Sequence, residues 1–170
     1  MHASPLNIRD AHPDDLSTIA AIYRHYVLHS CATFEETPPT TAELEQRYAG
    51  VVASGLPYLV AEREGEVLGY CYATPFRQRP AYRFTLENSV YVRHDASGQG
   101  VGSALLRTLL ARCGRGPWKQ VIAVVGDSEN HASRALHRRF GFREVGVLEK
   151  VGFKLGRWVD TVYLQRELNP

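Results

Sequence analysis

Cysteine is scarce in this chain, and what there is does not pair. Cys31, Cys71 and Cys113 are odd in number, widely separated, and in no Cys-x-x-Cys or Cys/His spacing of the kind that holds zinc. That argues against a disulfide framework and reads as three reduced, buried thiols. Long apolar runs are missing too. No stretch approaches the roughly 18 uninterrupted apolar residues of a membrane span, and residues 1–6 lack the basic segment and apolar run of a secretory leader. A soluble, cytoplasmic protein with no membrane partner is expected. Charge of one sign is not in excess either: 20 basic and 18 acidic residues, interleaved along the chain, leave a formal charge of +2. A nucleic-acid partner is not expected, because it would ask for a basic stripe or tail. What is present, 44% hydrophobic and 22% charged residues over a length of 170, suits one globular domain spanning residues 1–170 that buries its core without disulfides or metal.

Residues 7–11 read as a short strand, after which Pro13, Asp14 and Asp15 open a helix that ends near His29. Its apolar residues Leu16, Ile19, Ala20, Tyr23, Tyr26 and Val27 recur at helical spacing. Thr40 and Glu43 have the spacing of a capping box, which predicts a second helix to about Ser54, stopped by Gly55 and Pro57. Residues 58–62 and 67–74 are strand-like and flank a turn at 63–66, the pattern of an antiparallel hairpin. A strand is predicted over 84–92, then a long helix through Leu105, Leu106, Leu109 and Leu110, a buried strand over 121–125, and a helix over 133–140 closed by Gly141. The last third reads as strands over 144–150 and 161–168, joined by an irregular stretch containing Gly152, Gly156 and Trp158. The order β-α-α-β-β-β-α-β-α-β-β describes an α/β domain with a mixed sheet, since some neighbours are hairpins and others need helical crossovers.

The first chemical signal is the turn Ser97-Gly98-Gln99-Gly100-Val101-Gly102 ahead of the long helix. Glycine lets successive backbone N–H groups and a helix N-terminus converge on phosphate oxygens. The spacing is neither the dinucleotide fingerprint nor a P-loop, whose Lys-Ser/Thr pair is missing after Gly102. Alone, such a turn is either a phosphate cradle or a plain connector.

Its context resembles the GNAT acetyltransferase superfamily, whose acetyl-CoA turn has the pattern Arg/Gln-x-x-Gly-x-Gly/Ala between a strand and a long helix. Ser97 stands where that pattern has Arg or Gln. Within the superfamily the chain resembles the phosphinothricin N-acetyltransferase group over nearly its whole length. The matching stretches are Thr33-Phe34-Glu35-Glu36-Thr37-Pro38, Arg77-Gln78-Arg79-Pro80-Ala81-Tyr82, Glu87-Asn88-Ser89-Val90-Tyr91-Val92, Ala123-Val124-Val125-Gly126, Asn130-x-x-Ser133, Leu136-His137 with Gly141-Phe142, and the run from Val151 to Asp160.

That resemblance implies a mixed, mostly antiparallel sheet splayed where acetyl-CoA binds, a homodimer, and a small amino-acid-like substrate such as phosphinothricin, methionine sulfoximine or methionine sulfone. It implies that Tyr91 and Val92 pair through their backbone with the pantetheine arm. Ser97, Gly98, Gln99, Gly100, Val101, Gly102 and Ser103 would hold the pyrophosphate, and Asn130 and Ser133 would contact the arm. Glu87 falls where the group carries the carboxylate that deprotonates the substrate amine, directly or through water. His137 falls where many members carry the tyrosine that protonates the departing thiolate, and an imidazole is able to give or take that proton. Arg77, Arg79 and Tyr82 match the loop that meets the anionic end of the substrate, where guanidinium forks suit carboxylate, phosphinate or sulfone oxygens. Phe34 would supply an apolar wall, Ser89 would join the substrate site, and residues 152–160 would complete the pocket from a partner subunit or leave Trp158 as core. No metal is expected: His25 and His29 have i,i+4 spacing but no evident third ligand. The competing readings are an acetyltransferase for a polyamine, an aminoglycoside or a protein N-terminus, and a non-catalytic acyl-CoA-sensing module.

Overall fold

The computed structural model describes residues 4–170. Strand β1 (Asn7–Asp10) runs through a 3-10 turn at Pro13–Asp15 into α1 (Leu16–His29), followed by α2 (Thr41–Ala53), β2 (Tyr58–Arg63), β3 (Glu66–Pro75) and β4 (Thr85–Val92). The rest is α3 (Val101–Cys113), β5 (Gln120–Gly126), α4 (His131–Arg139), β6 (Arg143–Lys154) and β7 (Arg157–Glu167). All seven strands form one sheet in the order β1-β2-β3-β4-β5-β7-β6. Every pairing is antiparallel except β4 with β5. The expected α/β class and element order are therefore those of the molecule.

Local chemistry sets the ends. The Thr40 hydroxyl accepts from the Glu43 N–H at 3.2 Å while the Glu43 carboxylate accepts from the Thr40 N–H at 2.6 Å, the reciprocal cap that starts α2. Glu64 and Gly65, with φ of +53° and +81°, make the two-residue primed turn between β2 and β3. Pro13–Asp15 is a separate 3-10 turn rather than the first turn of α1.

Side-chain alternation assigns the two faces. Gly69 and Cys71 of β3 face α3: a Cβ on Gly69 would stand 3.0 Å from Val101 Cγ1 and 3.2 Å from Leu105 Cδ1. Tyr70 and Tyr72 face α1 and α2, where they meet Tyr23. The core lies between these layers and includes Ile19, Leu59, Leu105, Leu106, Leu109 and Leu164, all fully buried.

The stretch expected to be irregular near the C-terminus is instead regular hairpin. Strands β6 and β7 continue to Lys154 and from Arg157, leaving only Leu155-Gly156, both at positive φ, as the turn. The register slips between Leu148 and Gly152, where Lys150 has φ +52° and its N–H donates to Asp160 Oδ1 at 2.9 Å. One extra looped segment inside a strand breaks period-two patterning, which is why the alternation was not visible in sequence. Trp158, considered as core, is 62% exposed and packs edge-on against Phe153. The three cysteines are buried and free, as expected. Among the described residues no helix is long and apolar enough to cross a membrane.

Candidate active site

Strands β4 and β5 pair only from Thr85↔Gln120 to Asn88↔Ala123. Beyond that point β5 continues alongside β7 to Gly126, while residues 89–92 of β4 keep only β3 as a neighbour. A cleft of about 530 Å³ occupies the resulting opening. Its walls are the diverging strands, its mouth is the turn into α3, and its far side is α4. Unpaired backbone groups of β4 thus border a cavity, the arrangement an extended ligand uses when it adds a strand.

At the mouth, Gly98 and Gly100 have φ of +75° and +80°, and Gly100 is the N-cap of α3. A Cβ at either glycine would point into open space, so their backbone is bare on the cleft side. Ser97, Gly98, Gly100, Val101, Gly102 and Ser103 all line the cleft, as do Tyr91, Val92, Asn130 and Ser133. Gln99 does not: its side chain turns outward, accepting from Arg63 Nη1 at 2.9 Å and donating to the Asp95 carbonyl at 3.4 Å. Of the turn residues expected around the pyrophosphate, Gln99 is thus the one outside the cleft lining, its side chain held by Arg63 and Asp95. Val92 also carries a bond not expected from sequence, since its carbonyl accepts from the Tyr26 hydroxyl. Asn130 caps α4, its Oδ1 accepting from the Ser133 N–H at 3.2 Å.

Glu87 and His137 lie on opposite faces of β4. Glu87 is directly across from Thr74, and Ser89 from Tyr72, so both share the α1/α2 face. Burial pushes the Glu87 carboxyl above the usual carboxylate range, and the Arg77 charge partly opposes that rise. Arg77 and Arg79 sit on an exposed loop after β3, where the Arg77 guanidinium lies 4.5 Å from the Phe76 ring centroid and Tyr82 packs edge-on to the same ring. Phe34, 40% exposed, abuts Gly152 and Gly126: a Cβ on those glycines would fall 2.5 Å and 3.2 Å from its ring. The loop between α1 and α2 is thereby pinned across the end of β5. Lys154 fixes it from below, its ammonium donating to the Thr33 carbonyl at 2.6 Å.

His137 reaches the apex of the splay from α4. Its Nδ1 lies 2.8 Å from the Ser133 carbonyl oxygen, which only accepts, so the proton of the neutral ring is on Nδ1. Nε2 is then an acceptor, and it takes a bond from Asn88 Nδ2 at 3.0 Å. Burial holds the imidazole below its ordinary pKa, with the Ser133 carbonyl working against that effect. Asn88 had no role assigned from sequence beyond its place in a matching stretch. It is 6% exposed, lines the cleft, and its Oδ1 is buried without a hydrogen-bond partner. Nothing in a single asparagine beside Glu87 announces this; only the strand register and the helix crossing bring Asn88 and His137 together. Arg139 was also missed: it lines the cleft and donates to Ser103 Oγ at 3.1 Å, placing a cation over the start of α3.

The buried thiols offer no alternative nucleophile. Burial pushes Cys71 well above its ordinary value and Cys113 to about 12. No group of three or more metal-ligating side chains is assembled among the described residues; His25 stacks flat against His94 at 4.3 Å and meets His29 at 5.3 Å between ring centroids.

Comparison with known proteins agrees with this architecture. The acetyltransferase (GNAT) family model matches residues 20–142. A phosphinothricin N-acetyltransferase from Alcaligenes faecalis is 59% identical over 162 residues, covering 95% of this chain and 82% of its own. An L-methionine sulfoximine/L-methionine sulfone acetyltransferase from Pseudomonas aeruginosa is 41% identical, with 96% and 95% covered. The crystal structure of a phosphinothricin acetyltransferase from Sinorhizobium meliloti in complex with acetyl-CoA superposes with a TM-score of 0.93 at 46% identity, covering 96% of this chain and 88% of that one. With the family model spanning most of the chain and such identities across nearly its full length, the protein belongs to the GNAT family of acetyltransferases.

Proposed function

We propose that the protein transfers the acetyl group of acetyl-CoA to the amino group of a small acidic amino-acid analogue of the phosphinothricin and methionine sulfoximine type. The observation that carries this is the half-buried carboxyl of Glu87 beside the apex of the splayed strands, where the Arg77 charge acts on it. The cleft fits acetyl-CoA: bare glycine backbone at the start of α3 suits a pyrophosphate, Arg139 adds a cation there, and the edge of β4 beyond Asn88, which has no partner strand on the β5 side, suits the amides of the arm. Bound acetyl-CoA supplies an activated thioester.

The chain's own residues manage protons and charge on either side of it. Glu87, on the α1/α2 face, takes a proton from the substrate ammonium, directly or through water, because only the free amine has a lone pair for attack. The C–N bond then forms as the C–S bond breaks, and the thiolate takes up one proton. His137 lies on the opposite face, next to where a leaving sulfur at the apex would sit. In the resting tautomer Nε2 accepts, so His137 serves as a relay that must itself be protonated before it donates. Arg77 and Arg79, with Tyr82 beside them, receive the anionic end of the substrate, which disfavours polyamines and aminoglycosides. Phe34 closes the apolar side.

A symmetric dimer accompanies this reading. Edge strand β6 and its hairpin expose Val147, Leu148, Val151, Phe153 and Trp158, a row too apolar for a solvated edge. The test of function is release of free thiol from acetyl-CoA across a panel of amines. Phosphinothricin or methionine sulfoximine should far outpace spermidine and kanamycin; equal rates would defeat the assignment. Light scattering at assay concentration should give the mass of two chains.

A further inference from the structure

Among the described residues only two buried side-chain polar atoms lack a hydrogen-bond partner, Arg63 Nε and Asn88 Oδ1, and of the two residues only Asn88 lines the cleft. Native proteins leave few such atoms, because a buried acceptor without a donor forfeits the hydration it had in water. The orientation of this amide is fixed by its neighbour. The Ser133 carbonyl can only accept, so Nδ1 of His137 carries the ring proton and Nε2 takes its bond from Asn88 Nδ2. Turning the amide over would set two acceptors against each other. Nδ2 therefore stays on His137, and Oδ1 is left to the cleft, on a side chain whose residue is only 6% exposed.

The place is the apex of the splay. Asn88↔Ala123 is the last pair that joins β4 to β5, and the glycine turn ahead of α3 lies at the open end of the same cleft. An acetyl-CoA arm that enters over that turn and adds to the edge of β4 has its amides matched by strand backbone, and its sulfur end arrives at Asn88. The cofactor before and after transfer differs there in one respect. A thioester sulfur bears no hydrogen, whereas the thiol of CoA, protonated at neutral pH, is a hydrogen-bond donor, if a weak one. Only the product carries what Oδ1 lacks.

We infer that Asn88 is a product-selective residue, whose side-chain carbonyl accepts from the S–H of CoA and so makes the apex complementary to the spent cofactor rather than to acetyl-CoA. It rests on the reading of the splay as the acetyl-CoA cleft. The proton count closes: the substrate ammonium gives up two protons as the C–N bond forms and the C–S bond breaks, one of which ends on the thiolate sulfur and the other in solvent. The S–H so formed is the donor for Oδ1. A thiolate has no proton to share with that carbonyl, so the same contact favours the leaving group as neutral thiol.

The experiment is calorimetric titration of the full chain, wild type and Asn88→Ala, with CoA, with S-methyl-CoA, a thioether without the S–H, and with acetyl-CoA, all at neutral pH. Wild type should bind CoA tighter than S-methyl-CoA by at least about threefold, the worth of one modest hydrogen bond, and the ratio should fall to near one in Asn88→Ala. Acetyl-CoA controls for room beyond the sulfur, since its acetyl group is larger than the added methyl. A purely structural Asn88 would weaken all three ligands alike, and a ratio left unchanged by Asn88→Ala overturns the inference. Acetyl-CoA binding with CoA no tighter than S-methyl-CoA removes the inference alone; no binding of any of the three removes the cleft reading with it. Should Asn88→Ala fail to fold, a crystal structure of the wild type with CoA decides: a sulfur at hydrogen-bond distance from Oδ1 supports the contact, and a sulfur turned away from it overturns it.

Discussion

Asn88→Ala isolates the contact that fixes His137. In the native protein Nε2 of the imidazole accepts from Asn88 at 3.0 Å and Nδ1 donates to the Ser133 carbonyl at 2.8 Å, both in a buried setting. Removing the amide leaves a buried acceptor without its donor, which costs about 1–3 kcal/mol. At about 2–4 °C per kcal/mol for a domain of this size, the melting midpoint should drop by roughly 2–12 °C. Asn88→Asp changes the sign of the electrostatics instead. A carboxylate facing Nε2 favours a proton there, and with Nδ1 already donating, the ring is held as imidazolium. His137 should then titrate above its native value, whereas in the native protein burial holds it below the usual histidine range. Long-range 1H–15N spectra read both the tautomer and the titration. A native spectrum with the proton on Nε2, or an Asn88→Asp variant whose His137 titrates as the native one does, would refute the tautomer argument.

Glu87→Gln should lower kcat by about two to four orders of magnitude, the range for one positioned acid-base group, with acetyl-CoA binding retained and partial rescue at high pH. The same variant tests the cost of burying that carboxyl. Because the folded pKa is raised, the unfolded chain ionises first as pH rises, so native stability is lost through the window between the two values. Glu87→Gln should therefore melt higher than the native protein at neutral pH and equal to it below the carboxylate range, as thermal scans at several pH values will show. Arg79→Ala should chiefly raise KM for the acceptor, the signature of binding shared by ground and transition states. Gly100→Val, which forces a branched residue to φ near +80°, should raise KM for acetyl-CoA while leaving the mass in solution unchanged. Thiol-specific reagents should leave the folded enzyme active, since all three cysteines are buried.

Fold and sequence agree wherever a local rule is strong. The Thr40/Glu43 cap, the Glu64-Gly65 turn and the leucines of α3 each impose their structure within a few residues, so those elements were legible. The C-terminal hairpin was not, for a physical reason. β6 is an edge strand whose exposed side carries apolar residues, and its register slip at Leu148–Gly152 interrupts the alternation that would have marked it. Apolar residues such as Phe153 and Trp158 satisfy a surface there rather than a core, and only the sheet order reveals that the surface is an edge.

The site divides along the same line. Motif resemblance singled out Glu87, His137 and the glycine turn, because each sits in a stretch whose residues lie close to one another in sequence. It did not single out the contacts of Asn88 and Arg139, which reach across 49 and 36 positions. Strand alternation explains why the two neighbours Glu87 and Asn88 do different work. One residue apart in a strand means opposite faces, so Glu87 shares the α1/α2 face with Thr74 and Ser89 while Asn88 meets α4 and His137. The splay begins at Asn88↔Ala123, the pair adjoining Glu87, so that apex has the Glu87 carboxyl on one face and the His137 imidazole on the other. A one-residue slip of β4 would exchange those faces and put the carboxylate against α4 and the amide toward α1 and α2. The register between β3 and β4, held from Gly69↔Val92 to Pro75↔Leu86, is therefore as much a part of the active site as the side chains it presents.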